Sequence, residues 1–175
     1  MVEMVLERDF DTPISAAEVR SGADLGCLSL HRVGWRCSLL SLDGRKMICS
    51  FQAADAESVR IALRMGGADI RRLWAGSIHE APRVSVPLMD RANVLVRRSF
   101  EQPVAIAEIQ AREDSGAWCL DARQVTFVRT YFSRDRKRMV CLYHAPDAES
   151  VREAQRSADM PMDDVWAFSV VAPAA

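Results

Sequence analysis

The hexapeptide D-A-E-S-V-R occurs twice in this chain, at Asp55–Arg60 and again at Asp147–Arg152. The likeness extends upstream, because 12 of 28 positions are identical when Val33–Arg60 is aligned with Val125–Arg152. A long match at a constant spacing indicates an internal duplication. The 175 residues therefore divide into two units of about 80 residues each, a size at which a domain is only marginally stable alone. We expect the two units to pack together.

The duplication also sets the predicted domain boundaries. We expect a first unit over residues 1–78, a linker over residues 79–92 and a second unit over residues 93–172. The linker contains Pro82 and Pro87, and prolines of this kind interrupt regular secondary structure.

The composition excludes several classes of protein. Hydrophobic residues make up 49% of the chain and charged residues 27%, which is typical of a folded rather than a disordered protein. The net charge of −1 gives no basic excess for a phosphate backbone, so we expect no nucleic-acid partner. Glu3, Glu7 and Arg8 interrupt the apolar N-terminus, and no stretch reaches the roughly 18 apolar residues of a membrane span. We therefore predict a cytoplasmic protein with no membrane partner.

The cysteines point to the same compartment. There are five of them, an odd number, and no C-x-x-C motif occurs. Cys27 matches Cys119 and Cys49 matches Cys141 between the two copies, so these pairs were inherited by duplication and need not bond to each other. We predict reduced, mostly buried thiols.

The hydrophobic periodicity of each copy predicts the order strand, helix, strand, strand, helix, strand. The first strand is expected over Val2–Phe10. Asp43-Gly44 predicts a tight hairpin between the second and third strands, whereas Asp135-Arg136 in the second copy predicts a different turn geometry. The segment R-E-D-S-G-A-W is interpreted as a loop that is two residues longer than its counterpart.

The helix starts carry recognisable capping residues. Ser15 and Glu18 form a capping box, while the second copy has Ala105 in place of the serine and is expected to be capped more weakly. Asp55 and Asp147 open the repeated hexapeptide and are placed to cap the second helix of each copy. We therefore interpret the most strongly repeated residues as structural rather than catalytic or metal-binding.

The order of elements is that of a ferredoxin-like unit, an antiparallel four-stranded sheet with both helices on one face. The strand Arg138–His144 is apolar on both faces, which predicts that the sheet is covered on both sides. The predicted fold class is thus α+β, with two tandem ferredoxin-like (βαββαβ) repeats whose antiparallel sheets pack as a pseudo-dimeric α+β barrel. Strand edges left free would allow a homo-oligomer to form by strand pairing.

The pattern M-I/V-C-x-F/Y-x-A-A/P-D-A-E-S-V-R, followed by a hydrophobic residue and Trp, resembles a family of small ferredoxin-like domains of unknown function. One branch of that family is described as nickel-binding. The resemblance covers nearly the whole chain, once in each half, and implies a histidine in the second strand and another in the second helix. Those positions hold Cys37 and Arg129 in the strands and Ala62 and Ala154 in the helices. Arginine and alanine are not nickel ligands.

The remaining histidines do not have the spacing of a metal site. His31, His79 and His144 occur singly. His144 follows Cys141 by an odd number of residues, which places the two on opposite faces of a strand. His31 and Cys37 would lie about 20 Å apart along an extended chain. We predict no metal site and no cofactor.

One constellation suggests a binding site for a small anionic or aromatic molecule, with Arg129 between Phe127 and Tyr131 on the aromatic face of its strand. A charge in that position is costly unless it is paired. Arg129 is therefore paired with a carboxylate across the sheet, or extends its guanidinium to the solvent at the rim of the sheet, or anchors an anionic ligand. The predicted ligand-binding residues are Trp35, Cys37, Phe127, Arg129 and Tyr131. The four tryptophans are otherwise interpreted as core and interface packing.

Two classes of function follow from these observations. The preferred one is a non-catalytic small-molecule-binding or regulatory module, because no acid/base pair is recognisable and no catalytic residue can be assigned. The alternative is a small cofactor-free α+β-barrel enzyme of the isomerase or oxygenase type, with Arg129, Tyr131, Tyr143 and His144 as polar participants. Binding of nickel or another transition metal, as in the resembled family, is a third reading.

Overall fold

The computed structural model describes residues 1–23, 26–81 and 91–173. These residues form eight strands and six helices. In chain order they are β1 (Val2–Asp9), α1 (Ala16–Ala23), α2 (Cys27–Leu30), β2 (Gly34–Ser41), β3 (Lys46–Ala53), α3 (Ala56–Met65), β4 (Arg72–Glu80), β5 (Val94–Ser99), α4 (Ile106–Ser115), α5 (Ala117–Asp121), β6 (Thr126–Ser133), β7 (Arg138–His144), α6 (Ala148–Ser157) and β8 (Asp164–Val171). The α+β class predicted from the sequence is confirmed.

The chain divides into two compact units. The first unit consists of Met1–Ser77 together with the C-terminal residues from Ser169, and the second unit of Ile78–Phe168. Most of the predicted linker, residues 82–90, lies outside the described residues, while His79 and Glu80 belong to β4. None of the described helices is long and apolar enough to cross a membrane.

The sheet of the first unit has the strand order β4-β1-β3-β2, and all its pairings are antiparallel. β1 is central and pairs with β3 from Val2↔Ala53 to Asp9↔Lys46. The second unit has the strand order β8-β5-β7-β6, again antiparallel. In each unit the strand that comes first along the chain therefore lies between the third and the fourth, as in a ferredoxin-like unit.

The core of the first unit is formed by the helix-facing residues of β1 and β3, among them Met4, Leu6 and Phe51, packed against Val59 and Ala62 of α3. Val94, Val96 and Val151 contribute to a corresponding cluster in the second unit. The residues of β7 from Met139 to Tyr143 are buried without interruption, as are those of β3 from Met47 to Phe51. Both faces of these strands are shielded from solvent, as predicted from their apolar runs.

The predicted helix caps are confirmed. The backbone N–H of Ser58 donates to Asp55 Oδ1 at 2.8 Å, and that of Ser150 donates to Asp147 Oδ1 at 2.7 Å. These hydrogen bonds to the ionised carboxylates lower the pKa of both aspartates. The expected weak start of α4 is also seen, since Ala105 offers no side-chain cap.

The Ser15–Glu18 capping box forms in both directions. Glu18 Oε2 accepts from the backbone N–H of Ser15 at 2.7 Å, and the backbone N–H of Glu18 donates to Ser15 Oγ at 3.3 Å. Two otherwise free donors at the start of α1 are thereby satisfied.

The two hairpin turns have the same geometry, so the expected difference between them is wrong. Gly44 has φ 70° and Arg136 has φ 61°, and each donates its N–H at 2.9 Å to a serine carbonyl, that of Ser41 or Ser133. The two serine hydroxyls also donate to the aspartate that follows two residues later, Asp43 or Asp135. This shared serine–aspartate bond holds the turn closed even where the glycine is replaced by arginine.

Two short helices, α2 and α5, were not predicted. The segment Arg112–Trp118, interpreted as a loop, is the end of α4 and the start of α5. Its arginine and glutamate are good helix formers, so a charged stretch of this kind need not interrupt a helix. Trp118 lies on α5 with 68% of its surface exposed, which corrects the expectation that all four tryptophans pack in a core or an interface.

Candidate functional site

A cavity of about 230 Å³ lies between the sheet and the helices of the first unit. Its floor is formed by side chains of β1, β2 and β3, including Leu6, Trp35 and Phe51, and its roof by residues of α1, α2 and α3. Most of the lining is apolar. Small residues account for the space, since Ala62, Gly66 and other lining positions of the helices carry little or no side chain that could fill it.

The polar groups on the sheet side of the cavity are bonded to one another. Trp35 Nε1 donates to Ser38 Oγ at 3.0 Å, and Ser38 Oγ donates to Cys49 Sγ at 2.9 Å. Burial raises the pKa of the Cys49 thiol to about 12, so this cysteine is neutral at physiological pH. A satisfied hydroxyl and a neutral thiol leave this wall effectively apolar.

Arg8 is the cationic residue of the lining. It follows Leu6 on the helix-facing side of β1, it is half-buried, and its Cζ lies 4.8 Å from the ring centroid of Phe10. Among the residues that the structure describes, no carboxylate forms an ion pair with Arg8. The acidic residue in the lining, Glu18, is held in its capping box by Ser15, whose hydrogen bonds lower the pKa of Glu18.

The corresponding region of the second unit is filled by a polar network around Arg98. The guanidinium is 1% exposed, and its Nη2 donates to Gln155 Oε1 at 2.8 Å and to Tyr143 Oη at 3.1 Å. Nη1 donates to the carbonyl oxygen of Pro161. Tyr143 Oη in turn donates to Glu113 Oε1 at 2.5 Å. Burial raises the pKa of both Glu113 and Tyr143.

The sequence alignment of the two halves matches residues of this network with residues that line the cavity. Arg98 matches Arg8 at the 90-residue spacing that also relates Phe100 to Phe10. Three partners of the network, Tyr143, Gln155 and Glu113, match Phe51, Leu63 and Ala23 of the first unit, and all three of these line the cavity. Both units thus have an arginine at this position, and the residues matched to the partners of Arg98 are apolar or smaller in the first unit.

The five residues predicted from the sequence to bind a ligand do not share one surface. The pairing of β2 with β3 shifts between Trp35 and Cys37, and the pairing of β6 with β7 shifts between Phe127 and Arg129. The residues skipped there are Arg36 and Val128. A β-bulge inserts one residue and breaks the two-residue alternation on which the prediction rested.

As a result, the members of each pair face opposite ways. Trp35 lies opposite Phe51 and packs on the helix-facing core, whereas Cys37 lies opposite Ser50. In the second unit, Phe127 packs edge-on against Tyr143 with ring centroids 5.8 Å apart. Arg129 and Tyr131 pair with Leu142 and Val140 on the other face. The expected position of Arg129 beside Phe127 on an aromatic face is therefore wrong.

Arg129 is paired rather than free. Its Nη2 forms an ion pair with Glu80 Oε1, and 18% of its side chain is exposed. The structure therefore agrees with the interpretation that Arg129 pairs with a carboxylate. The partner, Glu80, belongs to the same unit. Tyr131 is buried on the same face of β6.

The histidines are dispersed, and each has a local contact. His144 Nδ1 lies 2.8 Å from the carbonyl oxygen of Arg91, and His31 Nε2 lies 3.1 Å from Met65 Sδ. His79 packs edge-on against Phe132 with ring centroids 6.3 Å apart. All five cysteines are free thiols, four of them buried, as predicted. Within the described ranges, no three His, Cys, Asp or Glu residues group in a way that could hold a metal ion.

The arginine pair was missed at the sequence level although the signal was present. Met4, Leu6, Arg8 and Phe10 follow a two-residue alternation, and the second copy repeats it with Arg98 in the place of Arg8. A charged residue kept in both copies on an otherwise apolar strand face indicates a buried or functional cation.

Comparison with solved structures supports the fold. An anthrone oxidase-like protein superimposes with a TM-score of 0.51 at 10% sequence identity, covering 99% of this chain and 94% of that chain. A protein named "putative monooxygenase" from Lactobacillus acidophilus NCFM gives a TM-score of 0.44 at 6% identity, covering 97% of this chain and 94% of that one. At such identities the first likeness shows a shared fold and nothing about activity. No curated protein matches the chain.

Residues 95–167 match the family described as nickel responsive protein SCO4226-like, which confirms the resemblance inferred from the sequence. The donors in that segment do not fit a nickel ion. Cys119 and Cys141 are buried, Cys141 Sγ accepts a hydrogen bond from Thr130 at 2.8 Å, and His144 is exposed and separate from both. Nickel favours imidazole and thiolate ligands that converge on one point. The segment 95–167 is thus similar to the nickel responsive SCO4226-like proteins, but its described residues lack a nickel ligand set.

Proposed function

We propose that this protein is a non-catalytic small-molecule-binding module and that the cavity of the first unit is its binding site. The observation that carries the proposal is the apolar cavity of about 230 Å³, which has one arginine, Arg8, among the described residues of its lining. Ligand sites are concave, mostly apolar and provided with few polar groups. A dry apolar cavity of about 150 Å³ binds benzene, so this one has room for a substituted aromatic ring.

The chemistry of the lining favours binding over catalysis. General acids and bases work best with pKa values near the operating pH. The pKa of Cys49 is raised to about 12, while the carboxylate of Glu18 is held by Ser15 with a lowered pKa. Neither group is suited to exchanging a proton with a ligand at neutral pH.

The proposal includes the tandem-repeat architecture and the cytoplasmic location. The repeated hexapeptide and the equal strand order of the two units support the tandem-repeat architecture. Five free thiols support the cytoplasmic location, since reducing compartments keep cysteines in this form.

The test is to fill the cavity. Ala62 lies in α3, is 1% exposed and lines the cavity, so the side chain of Ala62→Leu occupies ligand space. We expect toluene, followed by NMR of the methyl groups of Leu6 and Leu63, to bind the wild type saturably. Affinity should fall about tenfold or more in Ala62→Leu, the effect of losing roughly 1.4 kcal/mol.

The control is Ala17→Leu, which makes the same change at an exposed position of α1 outside the cavity lining. It should bind toluene like the wild type. Absence of saturable shifts in the wild type, or equal affinity in Ala62→Leu, would overturn the proposed function.

A further inference from the structure

We infer that the ligand of the first unit is a small aromatic monocarboxylate whose carboxylate pairs with Arg8. This inference rests on the proposed function, because it assigns a ligand class to the same cavity. A site for such a ligand requires a cation that can form an ion pair with the carboxylate, space beside that cation, and apolar walls that can pack against an aromatic ring.

Arg8 provides the cation. It is half-buried in the lining and no carboxylate of the described chain pairs with it. A partly desolvated charge is costly unless an opposite charge compensates it. A guanidinium presents a planar set of donors that matches a carboxylate in a bidentate pair. An anion entering the cavity therefore gains an interaction that no carboxylate of the described residues makes with Arg8.

The second unit indicates which groups the ligand replaces. Around Arg98 the protein supplies a phenol ring from Tyr143, an amide from Gln155 and the carboxyl group of Glu113. The matching residues of the first unit are Phe51, Leu63 and Ala23, and none of them carries an oxygen in its side chain. A ligand with one aromatic ring and one carboxylate would supply to Arg8 the oxygen acceptors and the ring that the protein places around Arg98.

The charge balance restricts the ligand to one negative charge. Among the described residues, the lining holds one arginine, Arg8, and one glutamate, Glu18, whose lowered pKa keeps it ionised. A dianion such as a phosphate monoester would leave one charge uncompensated against apolar walls. The rings of Phe10, Trp35 and Phe51 favour a flat apolar body over an aliphatic polyol.

The test compares two probes of nearly the same shape, 3-phenylpropionate and its neutral amide 3-phenylpropanamide, by isothermal titration calorimetry at pH 7. We expect the wild type to bind the carboxylate about tenfold more tightly or better, as for a charge-assisted hydrogen-bonded pair. In Arg8→Met the preference should vanish while the affinity for the amide stays nearly unchanged. Arg8→Gln provides a second variant that keeps a polar side chain without the charge and should behave in the same way.

Arg20→Met is the matched control, because Arg20 is an exposed arginine of α1 outside the cavity lining. It should keep the full preference for the carboxylate. Equal affinities of the wild type for the two probes, or a preference that survives in both Arg8 variants, would overturn the inference and leave the cavity as a neutral site. Failure of the wild type to bind either probe, together with no toluene binding, would overturn the proposed function itself.

Discussion

At the scale of single residues, the two matching arginines show how environment decides the role of a side chain. Arg98 is 1% exposed and its two Nη atoms bond Tyr143, Gln155 and the carbonyl of Pro161. Arg8 is half-buried beside an open cavity and stacks over the ring of Phe10. Arg98 is part of the interior of its unit, and Arg8 lines a cavity in which we propose that it contacts a ligand.

This difference predicts unequal costs of the same substitution. Arg98→Met should lower the free energy of unfolding by about 2–5 kcal/mol, because it strands buried polar partners that no water can reach. Arg8→Met should cost less than about 1 kcal/mol, as for a residue at the edge of a core. Urea denaturation followed by circular dichroism measures both. Similar losses in the two variants would contradict the assignment of structural and ligand-facing roles.

At the scale of the elements, the β-bulges in β2 and β6 decide which face of the sheet each side chain occupies. The bulges at Arg36 and Val128 turn the residues on either side of them to opposite faces of the sheet. Each hairpin is closed by a serine–aspartate bond, Ser41–Asp43 or Ser133–Asp135. The left-handed position of the turn is occupied by Gly44 in one unit and by Arg136 in the other.

The turns give a matched prediction. Arg136→Gly should raise the free energy of unfolding by about 1 kcal/mol, because a left-handed conformation costs a residue with a Cβ atom roughly that much. Gly44→Ala should lower it, since its φ is 70° and a Cβ atom there would lie 2.6 Å from the carbonyl oxygen of Ile14. The measurement is thermal unfolding of the two variants and the wild type, which compares their stabilities. A destabilised Arg136→Gly would mean that the arginine makes contacts that outweigh its backbone cost.

At the scale of the whole molecule, the two units have the same strand order and different interiors. The first unit contains the cavity, and the second contains the Arg98 network at the matching positions. The same strand order therefore accommodates an apolar cavity in one unit and a hydrogen-bonded network around a buried arginine in the other.

Ligand binding should therefore be detected mainly in the first unit. With 3-phenylpropionate at about 100 times its dissociation constant, linkage predicts a stabilisation of about 2.7 kcal/mol for the structure that binds it. Amide hydrogen exchange measured by mass spectrometry should slow in peptides of β1, β3 and α3, which border the cavity. Slowing centred on the Arg98 network would place the ligand in the second unit and contradict the assignment.

The sequence by itself determined the features that depend on neighbouring residues. The hexapeptide D-A-E-S-V-R occurs at the start of the same helix in each unit, and the caps at Ser15, Asp55 and Asp147 followed from their positions before helical stretches. The order of strands and helices followed from hydrophobic periodicity, apart from the short α2 and α5. These signals act over a few residues, so they can be read without knowing what lies across the sheet.

Only the tertiary structure decided the site. The bulges depend on the register of a partner strand, and they separated Phe127 from Arg129 and Trp35 from Cys37. The cavity exists because side chains from three strands and three helices fail to fill one space, a property of their joint packing. Whether Arg8 or Arg98 has a partner depends on residues up to 63 positions away. Contacts over such distances are set by the folded chain, and no local pattern records them.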